Sequence, residues 1–383
     1  MPPLSDPQDK TYIAGLDGLR AICITLVVVG HLGFGALVPG GLGVTVFFFI
    51  SGFLITRLLW QERDRNGGVD LWRFYGRRML RLFPELVVLL IVLGLIIGPL
   101  MHQPLPILQA FAALAYWSNY FIIANLGTCD HCAVTGHLWS LAVEEHFYLV
   151  MPLCLIACAF APRRLVMLFV AVIVAACVWR AVAFIGLHFS DIYTYKATEC
   201  RIDSIAWGCL AAVAERTWPK AMALVRRHAL AVFGAAVVIL LFSLACRDDT
   251  FRATFRYSLQ SFALVGVILP LVISPKLAPL VAALEWAPMR WMGRRSYAAY
   301  LWHYTALNFA GLAVGVTGAL ENASHGLQLK ALPMVLVGAW VLAELSYRFV
   351  YTPSQRLKPW LLPKRGPVVV EETPGAAVAE LAR

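Results

Sequence analysis

Five ionisable side chains sit inside, or at the ends of, long apolar runs of this sequence: Arg20, His31, Glu144, Glu145 and Glu344. On insertion scales a charge at mid-membrane depth costs about 2.5–3.5 kcal/mol, so such residues persist mainly where they face a cavity or a partner and do a job there. Arg20 and His31 are eleven residues apart. At about 100° and 1.5 Å per residue, that spacing puts both on one face of a helix, roughly 16 Å apart along its axis. Asp17, one turn before Arg20, is close enough to pair with the guanidinium, either within a site or as an interfacial anchor of the helix start. The string HLWSLAVEEHFY, residues 137–148, places Ser140 one turn and His137 two turns before Glu144, while Glu145 and His146 point elsewhere. A lone serine in such a helix packs or bonds back to its own turn, and Ser140 is not read as a nucleophile. The string FYGRRMLRLFP, residues 74–84, stacks Arg77, Arg78 and Arg81 on the first turns of an apolar run. Three guanidiniums so placed either anchor a helix at a membrane face or hold a phosphate-bearing ligand bidentately. Glu344 reads equally well as a functional residue facing a cavity or as a snorkelling or paired residue at a span end.

The elements that must position these groups are membrane helices. The chain has 383 residues, 60% of them hydrophobic and 14% charged, with a mean hydropathy of +0.72, which excludes an ordinary water-soluble domain. Apolar windows long enough to cross about 30 Å of hydrocarbon lie near 19–38, 42–59, 82–100, 138–160, 164–187, 203–215, 229–246, 258–273, 297–317 and 331–351. The excess of Lys and Arg in cytosolic loops reads the stretch 107–126 as surface-lying or re-entrant. The basic connections Arg57 to Arg81, Arg163 with Arg164, Arg216 to Arg227, Lys276 to Arg295 and Arg356 to Lys364 then all fall on one side. The sequence thus predicts an all-α, polytopic membrane helical bundle of about ten transmembrane helices with both termini cytosolic. One outer loop, carrying Arg247, Arg252 and Arg256, is discordant. A single membrane-embedded domain is expected over 1–360, followed by a short disordered tail over 361–383. The formal charge of +10 follows from those loops, and no nucleic-acid partner is expected. Met1 to Thr11 is polar and the first apolar run lacks a basic flank and a cleavage site, so the first span reads as retained. Of nine cysteines most lie in apolar runs as small buried hydrophobes. Cys129 and Cys132 fall in a predicted outer loop, open to a disulfide, to free thiols, or to a metal site with His131 and His137. No other metal site is expected.

LDGLRAICITLVVVGHLG, GGLGVTVFFFISGFLIT, FYGRRMLRLFP, HLWSLAVEEHFYLVMPL, CRIDSIAWGCLAA and SYAAYLWHY resemble, in that order, the acyltransferase-3 family of integral membrane O-acyltransferases. ELSYRFVYTPSQR resembles that family's last span, so nearly the whole chain is covered. The resemblance implies a ten-span enzyme of the bacterial inner (plasma) membrane. It would take an acyl group, usually acetyl, from cytosolic acyl-CoA and deliver it to a hydroxyl of a surface or exported glycan, or of a secreted small molecule. It further implies acyl-CoA, that acceptor and membrane lipid as partners, with no permanently bound cofactor. The family's first-span Arg and His fall on Arg20 and His31, its basic motif on Arg78 and Arg81 with Arg77 beside them, its acid on Glu144 with Glu145 adjacent, and its R-x-D string on Arg201 and Asp203. His303 lies in the SYAAYLWHY string and, with Asp17, Ser140, Glu145, Tyr148, Arg201 and Asp203, makes up the substrate-binding set. One departure is visible: the family commonly has Gln where this chain has His146. Some members carry a further soluble domain after the last span, where this sequence has only the short tail.

Acyl transfer from a thioester to an alcohol needs a base for the hydroxyl proton, donors for the developing oxyanion, and a dry cavity that joins the two substrates. His31 is the candidate base, because imidazole titrates near neutrality; a two-step route with the acyl group resting on His31 is equally open. Glu144 would orient the imidazole or position the acceptor, and Ser140 or Tyr148 could supply donors. The rival from another class is a proton-coupled transporter using His31 and Glu144 as a relay. The absence of an internal repeat counts against it.

Overall fold

The computed structural model describes residues 12–35, 37–100, 105–125, 135–316 and 319–361. Cys129, Cys132 and nearly all of the expected tail lie outside the described residues. Ten helices of 14 residues or more are labelled in chain order: α1 Leu16–Val29, α2 Gly40–Asn66, α3 Leu71–Val92, α4 Trp139–Ala157, α5 Pro162–Ala181, α6 Thr198–Thr217, α7 Ala229–Ala245, α8 Arg256–Ile273, α9 Ser296–Ala313 and α10 His325–Ser346. No strand occurs among the described residues. Local chemistry sets several ends. Asp70 caps α3 by accepting from the Arg73 amide at 3.1 Å. Pro162 occupies the first turn of α5, where its missing N–H costs nothing, and Gly67, at φ 73°, ends α2.

Seven helices are long and apolar enough to cross a membrane, or eight if Pro219–Arg227 and α7, bent by 85° to each other, form one span. Of the ten crossings expected, those built on α6 and α9 fall short of that composition. Both are central helices. Twelve residues of α6 are buried and it packs on α2, α5 and α8, so its polar groups meet protein rather than lipid. The apolar window of α2 is 67% buried, against 28% for those of α5 and α10: α2 sits inside the bundle and the other two face outward. The stretch 107–126, described as far as residue 125, makes no continuous crossing there. Its helices, Ile107–Leu114 and Ser118–Ala124, are separated by a turn in which Tyr116 has φ +53°.

The α2/α6 crossing is made by two glycines facing each other's backbones. A Cβ at Gly208 would lie 2.0 Å from the Phe49 carbonyl oxygen, and one at Gly52 would lie 2.1 Å from that of Ile205. Small residues let membrane helices approach in this way, and van der Waals contact between them replaces the hydrophobic drive that lipid cannot supply. Gly208→Ala is therefore expected to destabilise the protein by about 1–3 kcal/mol through overpacking. The same exchange at Gly234, where a Cβ meets nothing within 4 Å, should not. Thermal midpoints of the two variants in one detergent decide it; equal midpoints would show that the crossing does not depend on this contact.

Candidate active site

Two cavities enter the bundle and abut inside it. The first, about 120 Å³, is lined by Arg20, Ser51, Arg78, Arg81, Glu144 and Tyr148, among others. The second, about 300 Å³, is lined by His31, Trp139, Tyr195, Arg256 and Tyr257, among others. Val44 and Tyr300 line both and so form the partition between them. Arg20 near the start of α1 and His31 just past its end thus serve different cavities, although one helix carries both. α1 gives way at Gly30 to a π turn, Gly30–Phe34, in which Gly33 adopts φ 109°. Such turns widen a helix locally and recur at functional sites. Here the turn carries His31.

The partner of His31 is His303, not Glu144. His303 Nδ1 lies 2.6 Å from the Tyr300 carbonyl oxygen, and a carbonyl only accepts, so Nδ1 carries the hydrogen. In the neutral ring Nε2 must then accept. His31 Nδ1, 3.2 Å from it, is the donor. The network therefore assigns His31 the tautomer with hydrogen on Nδ1 and an open lone pair on Nε2. The rings of His137 and Tyr304 complete the nest: His137 stacks on Tyr304 at 4.8 Å and meets His303 edge-on at 4.9 Å. His137 Nε2 donates to the Leu301 carbonyl oxygen, 3.1 Å away.

Glu144, expected to orient the imidazole, instead accepts from Ser51 Oγ at 2.9 Å in the first cavity. The reason is geometric: seven residues separate it from His137, about 10.5 Å along the helix, so one string serves two levels of the bundle and His137 is the member beside the histidine nest. Ser140 is not an available donor. The Tyr300 hydroxyl donates to the His137 carbonyl oxygen, which leaves it to accept from Ser140 Oγ at 2.7 Å, and the serine hydrogen is committed. Tyr148 is a platform, with the Arg78 guanidinium carbon 3.2 Å from its ring centroid. Glu145 does not point away from the site, since its carboxylate lies 3.8 Å from Arg78 Nε. Asp17 sits 4.0 Å from Arg20. Arg77, expected to act with Arg78 and Arg81, is turned about 100° from Arg78 and pairs with Glu62 of α2 at 2.7 Å. It lines neither cavity. Glu344 is paired, with Arg295 and Arg348.

Arg201 and Asp203, expected to bind substrate, line neither cavity. Arg201 is fully buried behind the wall of the second, its guanidinium carbon 3.9 Å from the Tyr257 ring and its Nη2 donating to Thr45 Oγ1 at 3.0 Å. It stiffens the aromatic lining rather than forming it. Asp203 pairs with Arg180 of α5 at 2.8 Å, both side chains at 0% exposure, and also accepts from Ser258 of α8. Sequence reasoning missed Ser51, Tyr300, Tyr304 and Arg180. For the tyrosines a signal existed: 297, 300 and 304 recur at helical spacing around His303. Among the described residues no group of three His, Cys, Asp or Glu is placed to hold a metal ion.

The acyltransferase-3 family profile, described as an acyltransferase domain, matches residues 13–344. Over 366 residues, 91% of this chain, the sequence is 31% identical to the peptidoglycan O-acetyltransferase OatA of Listeria monocytogenes, covering 56% of that protein. Over 363 residues, 90% of the chain, it is 32% identical to the O-acetyltransferase OatA of Staphylococcus aureus, covering 57% of it. The chain thus spans little more than half the length of these relatives. No solved structure matches it. The transporter reading finds no support in these likenesses. A bundle of apolar helices around two abutting cavities, ordered along the chain as the six strings are and matched by the family profile over residues 13–344, belongs to the acyltransferase-3 family of integral membrane proteins.

Proposed function

We propose that this protein is a membrane O-acetyltransferase. It takes the acetyl group from an acyl-CoA bound in the first cavity and passes it to a hydroxyl of a cell-envelope glycan bound in the second. The observation that carries the reading is the junction at Val44 and Tyr300: a cavity lined by Arg20, Arg78 and Arg81 abuts one lined by His31. The three guanidiniums suit the phosphates of CoA. The pantetheine arm would run along α1 past the junction, about 16 Å from Arg20 to the level of His31. There the acceptor hydroxyl gives its proton to His31 Nε2 while its oxygen attacks the thioester carbonyl, and the CoA sulfur leaves with the bonding pair. His303 acts as a positioning residue, holding the hydrogen of His31 on Nδ1. The names of both relatives support acetyl as the acyl group, and that of the Listeria relative supports peptidoglycan as the kind of acceptor. In this reading the chain crosses the bacterial inner membrane ten times, with both termini and the first cavity on the cytosolic side.

Labelled acetyl-CoA supplied to only one side of vesicles holding the purified protein tests the reading. Alkali-labile label should accumulate on envelope glycan at the opposite side; glycan that stays unlabelled with donor on either side overturns it. Arg81→Ala should raise donor KM about 10- to 150-fold, the equivalent of a charge-assisted contact of about 1.5–3 kcal/mol, with acceptor KM nearly unchanged. A rise confined to acceptor KM would place the donor in the other cavity.

A further inference from the structure

The second cavity has a feature that glycan acetylation alone does not require. Arg247, Arg252 and Arg256 line it together with His31, and among the described residues no carboxylate does. These are the arginines of the loop that is discordant with the positive-inside rule, and in the orientation proposed above they stand at the outer face, where Lys and Arg are otherwise scarce. The local partners of Arg252 and Arg256 leave capacity for a ligand. Arg252 Nη1 meets Asp249 Oδ1 at 3.4 Å, a pair with 41% and 86% of its side chains exposed, which solvent screens heavily. Arg256 spends Nη2 on the Tyr257 hydroxyl at 3.2 Å, while its Nε is buried without a hydrogen-bond partner. A buried guanidinium N–H left unmade carries a desolvation cost that an incoming oxyanion removes. Anchoring a helix in the headgroup layer, the other use of basic residues, does not call for a cation that lines a cavity with the candidate base.

We propose that the acceptor is anionic: the sugar that presents its hydroxyl to His31 carries a carboxylate or a phosphate, which Arg252 and Arg256 hold at the mouth of the second cavity. This rests on the acetyltransferase reading and narrows its substrate class. The oxyanion fixes which hydroxyl reaches the base, and the arginine mouth draws anionic glycan from solution, an attraction that weakens as salt rises.

The test uses the full protein in vesicles with acetyl-CoA and three matched acceptors: a neutral glycoside, its sugar-acid analogue and its phosphate monoester. The wild type should prefer at least one anionic acceptor by about 10- to 150-fold in kcat/KM, the equivalent of one charge-assisted contact, and the preference should shrink between low and high salt. Which anion wins identifies carboxylate or phosphate. In Arg252→Gln and in Arg256→Gln the ratio of anionic to neutral turnover should fall toward one while donor KM holds, and Arg252→Lys should keep part of it. Turnover of all three acceptors at like rates by the wild type overturns this inference and leaves the acetyltransferase reading standing. Turnover of none overturns both.

Discussion

His31→Ala is expected to lower acetyl transfer by 10²- to 10⁴-fold, the usual contribution of a general base, while the protein inserts and accumulates as the wild type does. The substitution removes the hydrogen bond to His303 at 3.2 Å and the ring contacts with His303 and Tyr304, but it also takes a polar ring out of the membrane helix, which offsets that loss. Transfer rates from labelled acetyl-CoA, normalised to folded protein, measure the effect, and residual activity above about a tenth of wild type would remove His31 from the role. The tautomer network sharpens the claim. His303→Ala leaves Nδ1 and Nε2 of His31 free to exchange the hydrogen, so its kcat should fall by less than that of His31→Ala, and donor KM should stay put. A purely structural His303 would instead show up as lost folded protein with normal specific activity.

Asp203→Asn is expected to destabilise the bundle by about 3–5 kcal/mol, because it leaves the Arg180 guanidinium buried without a counter-charge. Both side chains have 0% exposure, and Arg180 also donates to the Thr254 carbonyl oxygen at 2.6 Å and to that of Cys200, so the ion cannot swing to lipid headgroups or water. Chemical unfolding in detergent reads the loss. The double variant Arg180→Met with Asp203→Leu should recover most of it, since a buried pair replaced as a unit by apolar groups is often neutral or better. If the single variant is as stable as the wild type, the pair is not what joins α5, α6 and α8.

These two sites also show how far the sequence could be read. The helix bundle was legible because about 20 apolar residues are needed per crossing and little else can satisfy that length. The cavity residues on α1, α3 and α4 were legible because Arg20, Arg78, Arg81, His31 and Glu144 are costly where they stand. Pairings were not. Arg180 lies in an apolar run and has no local partner, so nothing in its neighbourhood announced Asp203 on another helix. Arg77 looks equivalent to Arg78 in the string, and only the approach of Glu62 from α2 separates them. Glu144 was assigned to His31 because both are costly and polar, yet the height of a residue along its own helix decides which cavity it serves. α6 and α9 fall short of a lipid-facing composition for a related reason, since a helix surrounded by protein need not resemble lipid.

The Val44 and Tyr300 partition has a consequence for the cell's energy supply. In the orientation proposed above, two water-filled vestibules abutting at Val44 and Tyr300 would compress the transmembrane voltage onto the thin layer between them, where each elementary charge moved against 100 mV costs about 2.3 kcal/mol. Carrying a phosphate-bearing donor through that layer would pay this several times over and open a leak. Passing only the uncharged pantetheine arm and its acetyl group through it would avoid that cost. Val44 and Tyr300 would then act as the insulator, so that acetyl reaches an acceptor at the outer face without a charge crossing the layer.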